Sequence, residues 1–301
     1  MISGQSLASL LLAAIVRAGL YTLTATGLSL IFGVMNIPNF AHGELYMIGA
    51  YIAVFSFAGL NLPPLVAILL AAIVGFILGA IIEKSFFYPL RQRSKRRKIW
   101  IMNTFLVTVG LSLLLKNLIQ AIAGTKYRGI DSYWQGGLEV AGISISLDRL
   151  VGVAIAALVV LAFWLFLQKT TIGKAIRATA QDETGAKVVG IDLNNIHTLT
   201  FALSAMLASI AGASLLSLNP AYPTMGLMPL FSSWFVVILV GLGNIAFIPV
   251  GALIISLIET FAAYSVGSGW QRLFSLALII IILLFKPRGL FGSDVKGVWE
   301  R

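Results

Sequence analysis

KTTIGKAIRATAQDETGAKVVGID, residues 169–192, is the longest polar interruption in the second half of an otherwise apolar chain. It reads as a helix in its own right. Thr171 stands where an N-cap belongs, Gly190 where a left-handed C′ residue belongs, and no proline intervenes. Helical spacing gathers Ala175, Ile176, Ala180 and Val188 toward one side, with Lys174, Arg177, Gln181 and Asp182 offering polar groups around it. A short amphipathic helix between two membrane spans has two readings. One is a linker lying on the membrane surface. The other is a docking element inserted into a groove on a soluble partner.

The flanks of this segment set the class. Of the 301 residues, 59% are hydrophobic and 11% charged, and the mean hydropathy is +0.97. Ordinary soluble domains carry about a quarter charged residues, so the chain reads as an integral membrane protein. Its apolar runs approach the roughly 20 residues of a bilayer-spanning helix, and lipid leaves an open backbone unsatisfied. The alternation of an outer-membrane barrel strand is absent. There is no cysteine, which excludes disulfides, thiolate catalysis and cysteine metal sites. The start, MISGQSLASLLL, lacks the basic region of a cleavable signal peptide.

In chain order, spans are expected at about Leu7–Val34, Gly43–Phe57, Leu65–Ile82, Ile99–Ala123, Leu150–Leu167, His197–Leu218, Phe231–Ile245, Pro249–Tyr264 and Trp270–Phe285. Asn61 to Pro64 forms a tight turn after the second. The run KSFFYPLRQRSKRRK holds seven basic residues from Lys84 to Lys98 and no acid. Short basic loops between spans are retained in the cytoplasm, which explains the run better than nucleic-acid binding does. The loop from Gly124 to Arg149 balances three basic against three acidic residues, and its segments near Tyr133–Trp134 and Ile143–Ile145 are expected to form a small interfacial cap. Of 21 basic residues, 15 fall in the Lys84–Lys98 loop, the 169–192 segment and the tail KPRGLFGSDVKGVWER. The expectation is an all-α polytopic bundle of eight to ten helices, a single domain over 1–301, with its C-terminus cytoplasmic and its N-terminus outside.

A weak internal repeat crosses this pattern. Asn36 precedes Gly43 by seven residues and Asn219 precedes Gly226 by seven; GFILGAIIE (75–83) resembles GALIISLIE (251–259). The charge asymmetry puts Asn36 inside and Asn219 outside, so the two copies are expected to be inverted, a common transporter construction; chance similarity among apolar glycine-rich segments is the alternative. Within the first copy, NIPNFAHGE (36–44) is the densest polar cluster in an apolar region. Pro38 and Gly43 break the helix, and unwound backbone at membrane depth belongs beside protein or a watery cavity. Asn36, Asn39, Phe40, His42 and Glu44 are therefore candidates to line a solute passage. The alternative is a loop emerging into the cytoplasm. His42 is not a metal site, because no second histidine or cysteine lies near it.

Here the residues become familiar. GLSLIFGVMNIPNFAHGELYMIGAY resembles the N-terminal signature of the branched-chain amino-acid ABC importer permeases of the LivH type. GKAIRATAQDETGAKVVGID and the closing KPRGLFG resemble the same family at the same relative positions. The resemblance implies a permease in the bacterial inner membrane, working beside a second related permease. It further implies two cytosolic ATPases that use ATP and Mg, and an extracytoplasmic binding protein that delivers the solute. Carried over by motif, Gly173, Lys174, Arg177, Ala178, Gln181 and Asp182 belong to the coupling helix that docks on an ATPase, which favours the docking reading. Departures concern Pro38, the longer run GLGNIAFIPVGAL, and Arg17, where an uncharged residue is expected. They bear on the substrate, and urea and short amides are the nearest alternatives within the family.

No catalytic constellation is visible. The pattern G-x-x-x-x-G-K-[ST] does not occur, so no cofactor is assigned to this chain and ATP is left to partners. A structural membrane subunit that carries nothing is the alternative from another class. Arg17, Lys116 and Glu259 remain as charges in or near apolar spans, where a lone charge costs at least ~2.5 kcal/mol. Lys116 can snorkel. Arg17 and Glu259 are expected to pair across helices, directly or through water, with a Glu259 that is protonated, or exposed in an outer vestibule, as the competing reading.

Overall fold

The computed structural model describes residues 4–94, 96–140 and 143–292. Lys95 and the tail from residue 293, both used above to orient the chain, lie outside them. The order is α1 (Gly4–Met35), α2 (His42–Val54), α3 (Pro64–Ile82), α4 (Tyr88–Arg93), α5 (Arg97–Ala123), β1 (Gly137–Val140), β2 (Ile143–Ser146), α6 (Leu147–Lys169), α7 (Thr171–Gln181), α8 (Glu183–Val188), α9 (Leu193–Ser214), α10 (Leu227–Val240), α11 (Ile248–Ser265) and α12 (Gln271–Phe285). Single π-helical turns at Phe55–Gly59 and Glu83–Phe87 extend α2 and α3. Six stretches among the described residues are long and apolar enough to cross a membrane, and α10 and α12 are shorter apolar helices. With the buried α2, they make the expected polytopic all-α bundle.

One helix organises the rest. In α9, 83% of the apolar window is buried, against 17–44% in the other long helices. Its face of Ala202, Ala205, Ser209 and Gly212 is small, so neighbours approach to backbone distance, the packing device that replaces hydrophobic drive in lipid. A Cβ on Gly49 of α2 would overlap the Ser209 backbone, and one on Gly212 would overlap the Tyr46 carbonyl. From the other side, Gly75 and Gly79 of α3 seat against Ser209 and Ala205.

The repeated pieces interlock around this helix. α3, third helix of the first copy, packs on α9, first of the second; α11 packs in turn on α1. The breaks after α1 and α9 meet where Gly43 and Gly226 abut, each so close that a side chain on one would strike the other's carbonyl. Just after α3 and within α11, the matched Glu83 and Glu259 are both buried, at 0% and 1% exposure.

Several boundaries differ from the sequence reading. The 169–192 segment is two helices, because Asp182 leaves the helical conformation and its carboxylate caps α8 by accepting from the Thr184 amide at 3.0 Å. Thr170, not Thr171, caps α7, its hydroxyl accepting from the Gly173 amide at 2.9 Å. Gly190 does take the left-handed conformation, with φ +87°. The sixth span begins earlier, at Leu193, because Asp192 caps it through the amides of Asn194 and Asn195. The seventh ends at Val240 rather than Ile245, because Gly241 and Gly243 have φ of +112° and +83°.

The loop before α6 folds into the expected small cap. β1 and β2 pair antiparallel, Gly137 opposite Ser146. Asp148 Oδ1 accepts from the amides of Tyr133 and Trp134, both at 3.0 Å, and the Tyr133 hydroxyl donates to the Ala213 carbonyl at 3.0 Å. Burial, with the Asp148 charge nearby, pushes the Tyr133 phenol up, keeping it a donor. Arg128 and Ala221 exchange backbone hydrogen bonds at 2.8 Å, tying the cap to the break after α9.

The close packing on α9 is testable. Gly212→Leu is expected to cost at least ~1–3 kcal/mol through overpacking. Gly110→Ala, at an exposed helical site whose Cβ meets nothing, is expected to stabilise by ~0.5–1 kcal/mol. Thermal melts of detergent-solubilised protein compare the two, and an unchanged midpoint for Gly212→Leu would reject the account.

Candidate functional site

α1 stops at Met35, and Asn36 takes the left-handed conformation with φ +54°, one of two described non-glycine residues to do so. Asparagine tolerates that region because its short side chain bonds locally. Pro38 then removes a donor and its carbonyl accepts from the Thr108 hydroxyl of α5 at 3.1 Å. Asn39 Oδ1 accepts from the Ala41 amide at 3.0 Å and starts α2. The break is thus built from side-chain substitutes for missing helix bonds.

Three of its polar residues are enclosed: Asn39, His42 and Glu44 are 0%, 1% and 3% exposed. His42 Nε2 lies 2.9 Å from the Thr24 carbonyl, which can only accept, so Nε2 carries the proton. Nδ1 is left to accept from the Ser204 hydroxyl at 3.4 Å. Glu44 Oε1 accepts from Ser112 at 2.9 Å, and Lys116, one turn beyond Ser112, interacts with the carboxylate electrostatically. Asn39 Nδ2 and Glu44 Oε2 make no hydrogen bond with another described residue. Asn36 and Phe40 are half-buried, and the Phe40 ring packs edge-on against Phe105 at 5.3 Å.

The second candidate is the α7–α8 pair. Gly173, Ile176 and Thr179 form its buried stripe, and Ala180 and Val188, placed inward by the sequence reading, face out. For Val188 the cause is the bend at Asp182, which breaks the single-helix periodicity; Ala180 lies before the bend, next to the buried Thr179. Gly173 is pressed against the Phe166 and Leu167 carbonyls of α6. Arg177 Nη1 donates to Gln168 Oε1 at 2.8 Å, so the arginine braces the pair against α6 while remaining half-exposed. Ala178 is half-buried; Lys174, Gln181 and Asp182 are exposed. At the tip, Val188 and Val189 stand 82% and 76% exposed.

The third is a buried charge cluster on α11. Arg17 Nη1 lies 3.6 Å from Glu259 Oε2 and donates to Gln271 Oε1 at 3.1 Å. Tyr21, one turn after Arg17, donates to Glu259 Oε2 at 2.5 Å, and Ser232 and Ser275 reach Oε1 at 3.5 Å. The repeat-related Glu83 accepts from Arg91 at 2.7 Å and from the Thr198 hydroxyl at 2.6 Å. The sequence reading missed Tyr21, Arg91 and Thr198. The signal was available for Tyr21, at i+4 from Arg17, and for Arg91 through the match of Glu83 to Glu259.

A thermal-stability double-mutant cycle tests the Arg17–Glu259 contact. Arg17→Leu and Glu259→Gln are each expected to destabilise, and the double variant to recover about 1 kcal/mol of their sum. Strict additivity would show the two groups to be independent.

The described residues contain no group of three or more potential metal ligands. Comparison with known proteins draws the same features together. The family model described as branched-chain amino acid transport system / permease component matches residues 10–283. The high-affinity branched-chain amino acid transport system permease protein BraD of Pseudomonas aeruginosa is 28% identical, over 90% of this chain and 91% of its own. The probable branched-chain amino acid transport permease protein LivH of Methanocaldococcus jannaschii is 28% identical over 94% and 92%. The ribose import permease protein RbsC of Escherichia coli is 25% identical over 86% and 80%. With the family model covering nearly the whole membrane bundle, the chain belongs to the permease components of branched-chain amino acid transport systems.

Proposed function

We propose that this chain is a membrane-spanning subunit of an ATP-driven importer for branched-chain amino acids. In that assembly it pairs with a second permease, two cytosolic ATPases and an extracytoplasmic binding protein, in the plasma membrane with its basic segments inside. The observation that carries the reading is the α7–α8 pair: a helical unit braced on α6 by Gly173 and Arg177, with an exposed apolar tip at Val188 and Val189. Such a tip suits a groove on a soluble partner. Lys174, Arg177, Ala178, Gln181 and Asp182 belong to the same docking surface, Asp182 through the bend that presents the tip. The permease does not itself hydrolyse ATP in this reading.

The solute passage lies beside the break between α1 and α2. Asn36 and Phe40, half-buried, offer surface to it. Asn39, His42 and Glu44 fix the break from behind, and two unpaired buried polar atoms there cost about 1–3 kcal/mol each unless water or solute reaches them. The inverted repeat supplies the mechanical counterpart: two broken helices meeting at Gly43 and Gly226 can rock against one another without losing their helical hydrogen bonds.

Two experiments test the reading. In liposomes holding both permeases, the ATPases and the binding protein, uptake of L-leucine is compared with that of urea and acetamide. The double change Val188→Asp and Val189→Asp is expected to reduce leucine uptake and substrate-stimulated ATP hydrolysis about tenfold or more, with the melting temperature unchanged. Full stimulation in that variant would remove the docking role. Separately, a single cysteine at Asn36 is expected to react with a small hydrophilic thiol reagent at a rate that changes when ATP is added. Rates equal to a tail cysteine in every state would instead mark an ordinary loop.

A further inference from the structure

At the end of the bundle away from α7, a cavity of about 450 Å³ opens among α1, α10, α12 and the break after α9. Three arginines line it, Arg17, Arg149 and Arg272, and no acidic residue does. They come from three different helices. Arg149 follows the start of α6 by two residues, Arg272 is the second residue of α12, and Arg17 faces in from α1. The nearby acid is Glu259, buried behind the wall and held by Tyr21, Ser232 and Ser275. It neutralises Arg17 at 3.6 Å. Arg272 feels its charge as well, yet neither Arg149 nor Arg272 donates a hydrogen bond to any described side chain. The walls of the cavity therefore carry more positive than negative charge, with Arg149 exposed at the rim and Arg17 and Arg272 half-buried.

Much of the rest of the wall is apolar or aromatic, Leu20, Tyr46, Leu215, Leu218, Met225 and Met228 among it, with Asn219, Ser232 and Gln271 as uncharged polar groups. A few convergent cationic forks against an apolar wall, in a volume within the usual range for small-molecule sites, is the chemistry of a carboxylate attached to a hydrocarbon body. We propose that this cavity is a binding site for the carboxylate of an apolar amino acid, clamped by Arg149 and Arg272 with its side chain against Leu215, Leu218 and Met228. The proposal deepens the transport reading above and rests on it for the identity of the solute. In this arrangement Arg17 is a positioning residue: tied to Glu259 and Gln271, it fixes the start of α12, which carries Arg272. Asn219 of the break after α9 lines the same space, and its side-chain oxygen is of the kind that accepts from an ammonium group. The broken segment of the second repeat thus supplies part of the site, as the broken segment of the first supplies part of the passage.

The test uses the absence of cysteine in this chain. Met228→Cys puts a thiol in the cavity wall, in the complex of permeases and ATPases in nanodiscs of zwitterionic lipid. Its reaction rate with a small neutral thiol reagent is expected to fall by 1 + [L]/Kd with added L-leucine, about tenfold at nine times Kd. L-leucinamide keeps the ammonium and the side chain but lacks the carboxylate, and is expected to leave the rate unchanged; 4-methylpentanoate, which lacks only the ammonium, is expected to protect. Adding Arg149→Gln and Arg272→Gln is expected to weaken leucine protection at least about tenfold, and Arg149→Lys with Arg272→Lys to retain part of it. Equal protection by leucine and leucinamide would overturn the carboxylate assignment. So would protection that appears only when anionic phospholipid is added, which would mark a headgroup site. Leucine uptake by the unmodified transporter, with its binding protein, is measured alongside. Uptake without protection by leucine overturns the cavity alone. Absence of uptake overturns the transport reading, and 4-methylpentanoate protection then still decides the chemistry of the cavity.

Discussion

The structure depends on how closely other helices can approach α9. Lipid is as apolar as leucine, so nothing resembling the hydrophobic effect draws membrane helices together once they are inserted. Close van der Waals contact and hydrogen bonds must do it. The Ala202, Ala205, Ser209 and Gly212 face meets Gly49 on one side and Gly75 and Gly79 on the other, bringing α2 and α3 to backbone distance. At that separation Ser209 donates to the Leu45 carbonyl at 3.1 Å, a bond that a single larger residue would preclude. Both broken helices are anchored to this centre. Their breaks are held face to face at Gly43 and Gly226 because the helices that carry them cannot move apart without losing the α9 contacts.

The same centre lets the bundle carry polar groups that membrane-depth positions usually exclude. Glu83, Glu259 and Glu44 are all buried, and each accepts from at least one hydroxyl: Thr198, Tyr21 and Ser112 respectively. Two of the three also face an arginine. Satisfied in this way, a carboxylate fixes the register of helices from different parts of the chain, since Glu83 and Thr198 are 115 residues apart, and Glu259 and Tyr21 are 238 apart. The interlocked repeat explains the symmetry of the arrangement. The glutamate that follows α3 and the one within α11 each bond the first helix of the other copy.

Some of this was legible in the chain of residues. The Asn36 to Glu44 stretch announces a broken helix by its proline, glycine and polar density, and the helix does stop at Met35. Arg17 and Glu259 could be placed near one another from burial cost and topology alone. Tyr21 could not be assigned to the same cluster, because a tyrosine in an apolar helix usually means packing, and its partner lies on a helix far along the chain. The 169–192 segment shows the opposite failure. Its polarity located a helical unit set apart from the apolar spans, but treating it as one helix put Val188 inward. Asp182, with a side chain that bonds its own downstream backbone more readily than it continues a helix, bends the segment and turns Val188 and Val189 out. The arginines of the distal cavity were individually visible and collectively invisible, because Arg149 and Arg272 sit at the ends of helices that sequence order keeps more than a hundred residues apart.

By itself, the sequence determined the class and the break after the first helix, and its motifs carried the family resemblance. The class and the break follow from composition, from hydrophobic run lengths and from local breakers, all of which act over one or two helical turns. The tertiary structure alone decided which helix lies at the centre, that the two repeats exchange their third helices, and which charges share a cavity. Those depend on how closely two backbones can approach. That distance is set by the small residues of both partners at once, and no single stretch of chain carries it.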